Sequence, residues 1–229
     1  MGERSIMSRA FDSQAPKAYL RLCETRALQG HLPALNPPLG EVIRVLSASR
    51  PGGVFLCLGQ GAGETGAWIL DGMDLSSRLV VVVEDGLEAD MLRSLLGDDL
   101  RVTVHVQDAL SFLGDVRDHR FDLITDLSPG ECAELTRLAL ERLALGAFYM
   151  TRHPAVVLTQ MLCATATAAE GQEAVLDPNA FVLAHLPGAL AVSLIVHRPQ
   201  KPQAKRRGGR RAREGITPLF SSRPRSTGD

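Results

Sequence analysis

Val54-Phe55-Leu56-Cys57-Leu58-Gly59-Gln60-Gly61-Ala62-Gly63-Glu64-Thr65-Gly66 runs from an apolar stretch through a glycine-rich turn into helical sequence. A short apolar run that stops at glycines reads as a buried strand. Glycine is required wherever a ligand lies against the backbone, because a Cβ would hold it away, and the helix start behind the turn offers free amides. A tight strand-to-helix turn with no ligand would use the same residues.

Working outward, the same alternation repeats. GETGAWILDGM is helical, RLVVVVED is a strand, LEADMLRSLLG is helical, and RVTVHVQD and FDLITDL are the next strands. CAELTRLALERL is a helix offering Leu135, Leu138, Leu140 and Leu143 to the core, and GAFYMTRH is a further strand. Strands apolar throughout, alternating with amphipathic helices, predict a doubly wound α/β fold with a mostly parallel, Rossmann-like sheet. VVLTQMLCATATAAEG is a further helix candidate. FVLAHLPG and ALAVSLIVHRP then follow, separated only by Pro187 and Gly188, which leaves no room for a crossover helix. They must pair antiparallel, so the expected seven-stranded sheet ends in a hairpin. Before the turn, PKAYLRLCETRALQ predicts a short helix, and HLPALNPPLG, with three prolines, predicts an extended connector leading to the helix GEVIRVLSAS.

The 229 residues are 45% hydrophobic, enough for one sizeable core, and only 4% aromatic, which argues against aromatic platforms for single-stranded bases. Cys23, Cys57, Cys132 and Cys163 are scattered, with no zinc spacing, and read as reduced cytosolic thiols. The N-terminus shows no apolar signal core, and no stretch approaches the roughly 20 apolar residues of a membrane helix. A cytoplasmic protein without membrane contact is expected. The net charge of −1 conceals a division: residues 200–229 carry nine basic and two acidic side chains, +7, leaving −8 on the remainder. That Pro-, Gly-, Ser- and Arg-rich arm is expected to be disordered and suits nonspecific contact with a polyanion.

Which ligand the turn would hold is decided downstream. Gly61, Gly63 and Gly66 satisfy the GxGxxG spacing of dinucleotide folds, while Gly59, Gly61 and Gly63 satisfy the GxGxG spacing of class I S-adenosylmethionine methyltransferases. Glu84-Asp85 at the end of the second strand place a carboxylate where both ribose hydroxyls could be met, which indicates a nucleoside without saying which. Gln107-Asp108-Ala109 ends the third strand with a carboxylate and a small residue, suited to an adenine amino group. Glu84 as a solvated strand end and Asp108 as a helix cap are the plain alternatives.

Residues from about Leu39 to Pro199 resemble a class I S-adenosylmethionine-dependent methyltransferase of the O-methyltransferase group related to catechol O-methyltransferase. The resemblance runs in order through NPPLGEVIRVL, LGQGAGETGAW, VED, QDA, FDLITDLSPG, GAFYM and the closing AHLPGALAVSLIVHRP. It implies a lead-in over residues 1–38, an S-adenosylmethionine-binding domain over 39–199 and the basic arm over 200–229. It further implies that S-adenosylmethionine is held by Gly59, Gln60, Gly61, Gly63, Glu84, Asp85, Asp108 and Ala109, and that a small molecule accepts the methyl group. Homodimers are common among such proteins, although nothing in the chain demands one.

The chain departs from that family in two places. The acid usually found two residues before the first glycine, which organises the cationic methionine end of the cofactor, is replaced by Cys57. Metal-dependent relatives carry carboxylates after the fourth and fifth strands; here the positions hold Asp126 alone and Thr151-Arg152-His153. One carboxylate beside an arginine makes no hard-cation site, so no metal is expected. His153, after a strand at the carboxyl edge, is the candidate general base, and Asp126 a candidate to orient substrate or the cofactor amino group. Two other functions stay open: a noncatalytic S-adenosylmethionine-binding protein of methyltransferase descent, and a nucleic-acid methyltransferase tethered by the arm.

Overall fold

The computed structural model describes residues 15–130, 132–154, 158–159, 180–187 and 192–198. The elements in chain order are α1 (Lys17–Leu28), α2 (Pro37–Ala48), β1 (Val54–Leu58), α3 (Ala62–Gly72), β2 (Arg78–Val83), α4 (Gly86–Leu96), β3 (Val102–Val106), α5 (Ala109–Asp115), β4 (Phe121–Asp126), α6 (Ala133–Glu141), β5 (Leu143–Thr151), β6 (Phe181–Leu186) and β7 (Val192–His197). They form one seven-stranded sheet in the order β3-β2-β1-β4-β5-β7-β6. The first five strands are parallel, and β7 is antiparallel to both β5 and β6. The sheet is doubly wound and closes on the expected hairpin.

Burial on both faces explains why the strands are apolar throughout. Phe55 and Cys57 of β1 point into a cluster with α1, α2, α3 and α4, through Leu22, Ile43, Trp68 and Leu92. Leu56 and Leu58, one pleat away, point into the opposite cluster with Phe112 of α5 and Leu140 of α6. The N-terminal helix thus belongs to the main core: Tyr19 and Leu22 are buried in the first cluster. β3 lies at the sheet edge and is only partly covered: Val102 and Val104 are half-buried, while Thr103, His105 and Val106 are exposed.

Three local expectations are corrected. The extended connector is shorter than read, because α2 begins at Pro37; Asn36 caps it by accepting from the Leu39 amide, and prolines in a first turn have no helical partner to lose. Helix α6 stops at Glu141, and Leu143 belongs to β5, paired with Phe121. The strand can start that early because the register shifts between Phe121 and Leu123, with Gly146 in the left-handed region at φ 76°. In the hairpin Leu186 pairs with Val192, so the connection spans residues 187–191 rather than two residues. Most of VVLTQMLCATATAAEG and all of the basic arm, with the boundary at Pro199, lie outside the described residues. Among the described residues, no helix is long and apolar enough to cross a membrane.

Candidate cofactor site at the carboxyl edge of the sheet

β1 lies between β2 and β4, so its carboxyl end is flanked by Val82 on one side and Asp126 on the other. The chain leaves β1 through Gly59 at φ 64° and Gly61 at φ 83°, both left-handed, and enters α3 at Ala62. Only glycine adopts such angles without strain. The turn is held by the Gly59 amide donating to Val82 O at 3.0 Å and by the Thr65 hydroxyl donating to Gly61 O at 2.8 Å.

The protein itself presses on these glycines. A Cβ on Gly59 would strike Ser128 Oγ, and one on Gly63 would strike the Leu92 side chain. A Cβ on Gly61 would come within 3.1 Å of the Ala34 Cβ and 3.5 Å of Glu64 Oε2. Ser128 Oγ also accepts the Gln60 amide at 3.1 Å. Gly63 is therefore a packing glycine between α3 and α4, while Gly59 and Gly61 shape the turn.

Glu64, in the first turn of α3, is fully buried. Its Oε1 accepts the Ala34 amide at 3.2 Å and faces Arg26 Nε at 3.4 Å. Its Oε2 has no hydrogen-bond partner among the described residues. The Arg26 guanidinium also pairs with Glu88, whose carboxyl burial pushes up against the pull of that arginine. Beside this cluster lies a cavity of about 440 Å³ lined by Arg26, Gln29, His31, Gln60, Asp85 and Glu88, with Leu87 and Met91. Glu64 and Ser128 were not singled out in the sequence. A charged residue within the small, apolar run GAGETGAW was the one signal that could have marked Glu64.

The other strand ends carry the remaining candidates. Glu84 is exposed immediately after β2. Asp85 caps α4 by accepting the Leu87 amide at 2.9 Å. Asp108 caps α5 by accepting the Ser111 amide at 2.8 Å, and those bonds hold its carboxyl below the usual aspartate value. Ala109 behind it is buried. The Gln107 amide donates to Val83 O at 3.0 Å, which sets the β3 end beside the β2 end.

Asp126, the last residue of β4, is buried; its Oδ1 accepts the Ser128 amide at 3.2 Å, and burial pushes its carboxyl up. Its register partner on β5 is Thr151. The buried Cys57 thiol is pushed up to about 12, so it stays neutral and brings no charge in place of an acid. His153 does not face open space as a base would. It is buried, with Nε2 2.8 Å from Gly130 O and Nδ1 3.3 Å from Thr136 Oγ1. The carbonyl can only accept, so Nε2 donates to it, and Nδ1 is engaged by the threonine hydroxyl, so both ring nitrogens are directed into the protein. Arg152 reaches instead across the edge and donates to Ala34 O. Among the described residues no group of three His, Cys, Asp or Glu side chains could hold a metal ion.

Solved structures share the overall fold and are distant in sequence. The O-methyltransferase TomG from Streptomyces achromogenes, which acts in tomaymycin synthesis and was crystallised with S-adenosylmethionine, superposes with a TM-score of 0.64 at 18% identity, covering 87% of this chain and 100% of its own. An O-methyltransferase from Bacillus cereus, in complex with S-adenosylhomocysteine, gives 0.62 at 17% identity over 84% of this chain and 97% of its own. A Corynebacterium glutamicum protein gives 0.64 at 17% over 86% and 98%. The fold is that of the O-methyltransferases. No family model matches the chain, and no curated protein sequence does.

Proposed function

We propose that this chain binds S-adenosylmethionine across the turn after β1 and transfers its methyl group to an oxygen of a small molecule without a metal. The observation that carries the reading is the placement of Glu84: an exposed carboxylate one strand over from a left-handed glycine turn, beside a cavity that reaches both Gln60 and Asp85. This is where open α/β sheets bind nucleotides. The chemistry of the site fits such a cofactor, since a buried carboxylate oxygen of Glu64 lies next to the turn without a donor among the described residues.

In this reading Glu84 accepts the ribose hydroxyls, with Asp85 at the same strand end. The turn from Gly59 through Gln60 to Gly61 carries the methionine end, with Gly63 letting α3 pack close behind it, and Asp108 with Ala109 borders the adenine. Bound there, S-adenosylmethionine supplies an electrophilic methyl group for in-line displacement by the acceptor oxygen. Asp126 orients the acceptor or the cofactor amino group. His153 supports the site by bracing the loop that carries Gly130. A metal-free reaction is supported by Thr151, which stands opposite Asp126, and by Arg152, which follows it, where a hard cation would need carboxylates.

Calorimetric titration with S-adenosylhomocysteine tests the reading. The wild-type protein should bind it, and Glu84→Ala should weaken binding by about ten- to a hundredfold, the worth of hydrogen bonds to a charged group, without loss of fold. Binding of NAD in its place would overturn the assignment. A second reading, a binding protein that no longer catalyses, is favoured by the internal bonding of both His153 nitrogens. Retention of S-adenosylhomocysteine binding with no methyl transfer to any of a panel of phenols and alcohols would support it.

A further inference from the structure

We infer that Glu64 supplies the negative charge that Cys57 lacks, receiving the α-ammonium group of the cofactor's amino-acid end; the inference rests on the cofactor reading above. The cofactor's amino-acid end is a zwitterion whose α-ammonium needs a negative partner of its own, and Cys57 cannot supply it: the thiol is fully buried and stays protonated. The turn has one other acid. Glu64 is fully buried in the first turn of α3, three residues after Gly61.

Its two oxygens differ. Oε1 accepts the Ala34 amide and has Arg26 Nε 3.4 Å away in an ion pair that makes no hydrogen bond. Oε2 is out of water and has no donor among the described residues, a state that a buried carboxylate sustains only at considerable cost. The position a Cβ on Gly61 would take lies 3.5 Å from this oxygen and 3.1 Å from Ala34. Glycine at residue 61 therefore keeps side-chain atoms out of the gap between the turn and the carboxylate. An ammonium group brought to this gap supplies the missing donor and a matching charge.

Arg26 does not remove the need. It faces both Glu64 and Glu88, so one guanidinium is shared between two carboxyl groups. A cation adjoining Oε2 completes the balance, whereas an anion there would face two carboxylates. Glu64 is thus a specificity-determining residue, selecting ligands that carry the α-ammonium group over those that lack it.

The test is a thermodynamic cycle by calorimetry on the full chain, with S-adenosylhomocysteine and its α-deaminated analogue as ligands. The wild-type protein should prefer S-adenosylhomocysteine by about tenfold or more, the worth of a charge-assisted hydrogen bond. Glu64→Gln, which keeps the shape and an acceptor for Ala34, should bring that ratio close to one while leaving affinity for the deaminated analogue unchanged. An unaltered ratio, or equal weakening of both ligands, overturns the assignment of Glu64 and leaves the cofactor reading standing. Failure of the wild-type protein to bind S-adenosylhomocysteine overturns both. Should Glu64→Gln not fold, Glu64→Asp keeps the charge and withdraws it by one methylene. An undiminished ratio in that variant overturns the inference, and a reduced one supports it.

Discussion

Ser128 Oγ accepts the Gln60 amide at 3.1 Å and fills the position that a Cβ on Gly59 would take, so the turn after β4 is fitted into the turn after β1. Two segments 68 residues apart in sequence thereby fix each other's shape. Ser128→Ala should cost about 0.5–1.5 kcal/mol, one hydrogen bond. Gly59→Ala should cost more, about 1–3 kcal/mol from the left-handed backbone alone, with the collision against Ser128 added. In the double variant the collision is relieved and the backbone strain remains, so urea denaturation should find it less destabilised than the sum of the single changes.

His153→Ala should act on stability first. The change removes two hydrogen bonds, to Gly130 O and to the Thr136 hydroxyl, at about 0.5–1.5 kcal/mol each, and empties the buried space that the ring fills. Thermal denaturation should register this loss, while S-adenosylhomocysteine binding to the variant that remains folded should be little changed.

Asp126 introduces a pH dependence of definite sign. Burial raises its carboxyl above the ordinary aspartate value, so between the unfolded and folded values the native state holds a proton that the unfolded chain has released. Stability from this group is greatest below the unfolded value and declines as the pH rises through the folded value. Asp126→Asn keeps an acceptor for the Ser128 amide and has no charge to bury. Melting curves should show the variant gaining on the wild-type protein from mildly acidic to neutral pH; a variant that loses ground as the pH rises would contradict the sign.

Truncation after Pro199 concerns the basic arm. The main-chain bond from Arg198 N to Ala180 O, at 2.8 Å, and the whole of β7 precede the cut. The shortened chain should therefore keep its melting temperature and its affinity for S-adenosylhomocysteine. Retention on heparin or nucleic acid, if the full chain shows it, should disappear, because the nine basic residues of the arm are removed while the remainder carries −8.

The layered architecture could be read from the sequence because it rests on local signals. Strands such as Leu79–Val83 are apolar on both faces, which only a covered parallel sheet demands, and the turn glycines punctuate them. Positions fixed by long-range packing could not be read this way. Pro37 and Pro38 appear as breakers until Asn36 is seen capping them into a first turn. His153 resembles a base by its place in the chain, and only its contacts with Gly130 and Thr136 reveal a strut. Ala34, which receives Glu64 on its amide and Arg152 on its carbonyl, has an unremarkable side chain and carries no sequence signal at all.

The single tryptophan of the chain, Trp68, is completely buried where α3 meets α2, with its ring in the space left by Gly40 and 5.4 Å from the ring of Tyr19 on α1. Its Nε1 has no hydrogen-bond partner among the described residues. An indole so enclosed emits at short wavelength, and any loosening of the two N-terminal helices would admit water and move that emission to the red. The protein thus carries a built-in optical probe at the junction of α1, α2 and α3, four residues along the helix from Glu64, through which ligand-induced changes in the helical cover can be followed in real time without a label.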